Sequence, residues 1–104
     1  MKNYAPIPVF DTLSDTLERY QLIYQSDHPR EQIKKWLMHC FKGSKISFPA
    51  FSVKDYEVTL KYLHTYRGSE QTFSSYRRDM ERFIQWSWFV REQSLLKLKR
   101  EDIE

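Results

Sequence analysis

The stretch 72–92, TFSSYRRDMERFIQWSWFVRE, decides the fold class. Phe73, Tyr76, Met80, Phe83, Ile84 and Ser87 fall at the three- and four-residue steps that lay side chains along one face of an α-helix. Thr72 is a residue type that caps helices, so the longest helix of the chain is expected from there to about Glu92. A face of this kind cannot remain in water, and the rest of the chain must supply helices to cover it.

Working outward, Ser52 followed by Asp55 has the form of a capping box with Asp in place of Glu, opening a helix to about Arg67 with Tyr56, Leu60 and Leu63 on its buried stripe. Gly68 is read as its positive-φ stop. Residues 44–51, SKISFPAF, contain a proline and form an extended connection. Before it, Ser26, Asp27, His28 and Pro29 signal a helix start, and Ile33, Trp36, Leu37, Cys40 and Phe41 follow one helical face. Arg30, Lys34, Lys35 and Lys42 then point to water, and Gly43 and Ser44 close the helix. Leu13, Leu17, Tyr20 and Tyr24 indicate a short helix over 14–25, with a strand as the competing reading, and the first ten residues form an extended lead-in. Leu95 and Leu98 belong to a short link, and from Lys99 the residues REDIE read as the first turn of a further helix inside which the chain stops, as a truncated fragment would.

The composition supports a helical protein: among 104 residues, 40% are hydrophobic and 30% charged, with only 2 glycines and 4 prolines. The net charge of +3 is modest, but residues 52–100 carry 10 basic and 6 acidic side chains, a local +4 that the terminal Glu101, Asp102 and Glu104 mask. That half is the expected surface for an anionic ligand. Cys40 is the single cysteine, so an internal disulfide is excluded, and with His39 alone beside it no metal site is expected. The opening MKNYAPIPVF has no signal-peptide pattern and no stretch approaches a membrane span, so the chain reads as soluble and cytoplasmic.

Thr72, Tyr76, Phe83 and Trp86, followed by Leu95, Leu98, Asp102 and Ile103, resemble the core-binding domain of tyrosine recombinases, the phage integrase family. The likeness covers about residues 52–104, with the helix of Tyr56, Leu60 and Leu63 and the turn at Gly68 and Ser69 in the place of that domain's first helix. It departs at Lys99, where the family often has Thr or Ser. The resemblance implies an all-α, SAM-like compact bundle of four to five helices forming one jaw of a clamp on double-stranded DNA. It further implies a tetramer with other recombinase subunits, and catalytic residues in a separate domain downstream of this chain, so that the chain itself is not an enzyme and has no catalytic residue, cofactor, metal or small-molecule substrate. Residues 1–51 match less clearly and read as an N-terminal extension with one or two helices: an extra helical layer, a linker or part of an arm-binding region.

DNA binding needs cations and small hydrogen-bonding groups that approach phosphates closely. Gln71, Ser75, Arg78 and Arg82 share a helical stripe distinct from the apolar one, and Thr72 with the N–H groups at the helix start can hold a phosphate. Lys54, Lys61, His64 and Arg67 form a second polar band on the preceding helix. The bland reading of both is a solvated face, with Arg78 and Arg82 paired to acids such as Asp79 or Glu81, and Arg77 flanking the core. Of Trp86, Trp88 and Phe89, Trp86 is expected in the core and Trp88 to be the one that touches the N-terminal helices or an adjoining domain; base stacking is the lesser alternative. The basic helix over 30–42 is read as a solvated face over a buried seam rather than a DNA arm. The rival function is a helical protein-interaction module with the aromatic cluster as its docking surface; a helix-turn-helix repressor is a weaker third reading.

Overall fold

The computed structural model describes residues 7–44 and 46–97. Within them lie four α-helices and a short 3₁₀ turn: α1 (Leu13–Gln25), α2 (Pro29–Cys40), α3 (Ser52–Thr65), α4 (Glu70–Phe89) and Leu95–Lys97. Among the described residues there is no strand, and no helix is long and apolar enough to cross a membrane. The protein is an all-α bundle. Leu98 and the helix start expected from Lys99 lie outside the described residues.

Local chemistry accounts for most helix boundaries. The Thr12 hydroxyl accepts from the Asp15 N–H and caps α1; Pro29 occupies the first turn of α2, where its missing N–H costs nothing. Gly43, at φ 85°, takes the left-handed conformation that ends α2. Three expected boundaries are corrected. The cap of α4 is Ser69, whose hydroxyl accepts from the Thr72 N–H, so Thr72 sits inside the first turn. Gly68 has no positive φ: α3 stops at Thr65 and exits through tightened i→i+3 bonds from the N–H of Tyr66 to Leu63 and of Arg67 to His64. α4 ends at Phe89, three residues before Glu92, because Ser87 ties back the returning chain: its hydroxyl donates to the Gln93 carbonyl and its carbonyl accepts from the Gln93 N–H.

The largest correction concerns Ser52 and Asp55, which form no capping box. Phe51 is the N-cap, without a side-chain bond, and the Ser52 hydroxyl is buried with no partner among the described residues. Asp55, fully buried, is turned into the core. One carboxylate oxygen accepts from Trp88 Nε1 (2.9 Å) and from the Leu95 N–H (3.1 Å), and the other accepts from the Ser94 hydroxyl (2.6 Å). This reverses the expected roles of the tryptophans: Trp88, 2% exposed, is the core residue, and Trp86 is half-buried.

One apolar core draws on both sides of residue 52, uniting Val9, Phe10, Ile23, Ile33, Leu37 and Phe41 with Tyr56, Leu60, Leu63, Phe73, Ile84 and Trp88. Helices α1 and α2 therefore make a layer over α3 and α4, and the Phe41 and Phe89 rings meet at 5.8 Å across it. The extended lead-in is stitched to α4 by two side chains. Gln85 accepts from the Ile7 N–H and donates to its carbonyl, and one Glu81 carboxylate oxygen accepts from the N–H groups of both Val9 and Phe10 at 3.0 Å. Trp36 Nε1 donates to the Val9 carbonyl from the other side.

Replacing Asp55 with Ala strands three inward-facing donors, and a buried donor without a partner costs about 1–3 kcal/mol. Urea unfolding of Asp55→Ala is expected to show a loss on the order of 3–5 kcal/mol. Asp55→Asn, which keeps one acceptor oxygen for Trp88 and Leu95 and offers an N–H to Ser94, should lose clearly less.

Candidate nucleic-acid interface

Two groups of residues contain all the positions expected from the sequence to contact DNA. The first is the solvent face of α4, where Gln71, Ser75, Arg78 and Arg82 are all exposed. At 1.5 Å per residue they span about 16 Å of helix. The pairing that would neutralise this face does not form. Glu81, between the two arginines in sequence, faces inward and binds the lead-in, while burial raises its carboxyl pKa against the opposing pull of its hydrogen bonds and of Arg77. Arg77 is half-buried on that inward side. Among the described residues Arg78 and Arg82 have no ion-pair partner.

The start of α4 is less suited to a phosphate than the sequence implied. The Thr72 N–H is taken by the Ser69 hydroxyl, Thr72 itself is half-buried, and the Glu70 carboxylate stands in the same first turn. Only the N–H groups of Glu70 and Gln71 remain without intrahelical acceptors there.

The second group lies on α3 and the turn that follows it. Lys54 is exposed near its start, two turns from the others. Lys61, His64 and Arg67 border α1, where the sequence had placed only a buried stripe. The His64 ring stacks on Tyr20 with centroids 3.7 Å apart and planes within 10°, and Lys61 Nζ stands 5.4 Å from the Tyr24 ring centre. Arg67 Nη1 donates to the His64 carbonyl at 2.8 Å and lies 3.3 Å from His64 Nδ1. A guanidinium can only donate, so this contact assigns Nδ1 as acceptor and the neutral ring's proton to Nε2. Burial and then the Arg67 charge push the His64 pKa below its ordinary value.

Between α1 and α3, His64 and Arg67 line an open cleft of about 500 Å³ with Leu17, Tyr20, Gln21, Tyr24 and Gln25, and Lys61 stands beside it over Tyr24. The α1 residues of this cleft were not legible as a site. Their only signal is the repeat of Tyr-Gln at 20–21 and 24–25, which puts an aromatic row beside an amide row on one helix. A third surface feature is apolar: Val58, Thr59, Tyr62, Met80, Phe83 and Leu95 line a groove of about 350 Å³ between α3 and α4. Tyr62, Tyr66 and Tyr76 continue it as a ring cluster with centroids 4.6–5.9 Å apart.

No family model, curated protein or solved structure matches this chain.

Removing the guanidinium should raise the His64 pKa, which is expected to lie below 6.5 in the native chain and to move up in Arg67→Ala when the imidazole is titrated by NMR. A histidine whose folded pKa is depressed favours folding in its neutral form. Its contribution is complete above the unfolded value near 6.5 and is lost as pH falls through the folded value. Arg67→Ala should therefore flatten the loss of stability on the acid side of that window.

Proposed function

We propose that this chain is a DNA-binding domain of a site-specific tyrosine recombinase, gripping recombination-site duplex DNA during integration or rearrangement, with the chemistry carried by another domain of the intact protein. The observation that carries this reading is the outer face of α4. Arg78 and Arg82 are exposed and unpaired among the described residues; of the two acids between them, Glu81 is committed to the interior, while Asp79 is exposed but pairs with neither arginine. A helix that leaves two cations unpaired and turns one of its anions inward presents an excess of positive charge to a line of phosphates. The order Thr72, Tyr76, Phe83, Trp86, Leu95, Leu98, Asp102, Ile103 supports the family assignment, since the resemblance implies a DNA clamp built on this helix.

In this reading Gln71, Ser75, Arg78 and Arg82 make the principal contacts, Lys54, Lys61, His64 and Arg67 extend them, and Thr72 serves the helix start rather than a phosphate. The protein works in the cytoplasm on DNA, beside other recombinase subunits. The α3–α4 groove favours the second reading, a helical protein-interaction module, because Val58 and Tyr62 leave apolar surface open there.

Salt separates the two. Each phosphate contact contributes a slope of about −0.9 to log affinity against log salt on duplex DNA. Fluorescence anisotropy with a labelled duplex is expected to give binding that weakens steeply with salt. Arg78→Ala and Arg82→Ala should each reduce the slope by about one phosphate contact, and Lys34→Ala on α2 should leave it unchanged. Absence of binding even at low salt would sink the DNA reading and leave the protein-interaction module.

A further inference from the structure

We infer that the α1–α3 cleft is a phosphate subsite that carries the duplex-binding surface from α4 onto the N-terminal helical layer. The inference rests on the DNA reading above and adds to it the helix α1 and the role of Arg67 as a fixed anchor for the anion.

Several observations point the same way. Arg67 is not a free-swinging surface arginine: one of its terminal nitrogens is held by the His64 carbonyl and lies against His64 Nδ1, while its remaining N–H groups have no acceptor among the described residues. A guanidinium fixed in advance loses little further freedom on meeting an anion. Lys61, on α3 six residues before Arg67, stands over the Tyr24 ring and has no carboxylate partner among the described residues. The nearby acid, Glu57, accepts from the Tyr24 hydroxyl at 3.3 Å. Gln21 and Gln25 add amide donors along the opposite wall, and Glu18, one turn earlier on α1, is not among the cleft residues. Arg67, an imidazole and amides around an open aromatic floor, with Lys61 beside the Tyr24 wall, form a donor set for a phosphodiester oxygen.

The cleft also has the right neighbour. Arg67 is four residues from Gln71, so their Cα atoms cannot be more than about 14 Å apart. One DNA strand that meets the outer face of α4 at Gln71 has the cleft within a few nucleotides of it.

Wild-type protein titrated with a short DNA duplex, and separately with inorganic phosphate, tests this by NMR of the Tyr20 and His64 rings alongside the α4 amides. Duplex is expected to shift both ring signals together with Gln71–Arg82. Arg67→Ala and Lys61→Ala, both exposed positions, should each lower the salt slope by about 0.9 and abolish the ring shifts while the α4 shifts persist. If duplex moves only α4 and leaves Tyr20 and His64 unchanged, the subsite is overturned and the DNA reading stands. If inorganic phosphate moves the rings but duplex does not, the cleft is a small-anion site and the inference is again overturned. If duplex moves neither α4 nor the cleft, both readings fall.

Discussion

The buried carboxylate of Asp55 is the interaction on which the arrangement of the chain depends. It lies in the first turn of α3, yet its partners are Trp88 near the end of α4, then Ser94 and Leu95 in the return turn. An anion in an apolar interior is tolerated only when its oxygens are occupied by donors, and here three donors supply that. Helix α3, the C-terminal end of α4 and the link beyond it are thereby held in one relative position. The same requirement explains why Trp88 rather than Trp86 is inside: its indole N–H has a buried acceptor, whereas Trp86 remains at the surface near Arg91.

A second buried polar arrangement sets the character of the outer surface. Gln85 and Glu81 serve the backbone of the lead-in, which has no strand partner of its own to satisfy its N–H groups. Meeting that internal need removes a carboxylate from the α4 surface. The positive stripe of Arg78 and Arg82 is thus partly a consequence of how residues 7–10 are bound, and packing and surface electrostatics are coupled through one side chain.

The N-terminal layer has the same double aspect. Tyr20 and Tyr24 are half-buried and pack against the core, so α1 belongs to the fold. Their other edges, with His64 and the anchored Arg67, make the wall of a polar cleft. Aromatic rings that bury one side and leave a polar rim open are able to serve both ends. The apolar α3–α4 groove is a different kind of surface, suited to another side chain rather than to a phosphate.

Periodicity was sufficient to read the four helices, because it acts over a few residues, and the Pro29 start and the Gly43 stop lie where the chain itself dictates; the caps expected at Ser52, Gly68 and Thr72 do not form. The exposed positions of Gln71, Ser75, Arg78 and Arg82 were legible for the same reason, being the complement of an apolar stripe. What depended on tertiary structure was the fate of polar residues whose partners are distant. Asp55 reads locally as a capping acid and becomes a core acceptor for groups 33–40 residues away. Glu81 reads as a surface partner for arginine and instead binds backbone more than 70 residues distant. Tyr20 and His64 meet only because α1 packs on α3. Side-chain hydrogen bonds and ring stacking between separate helices leave no periodic trace in a single chain, so the helices were determined locally and the site's electrostatics were decided by packing.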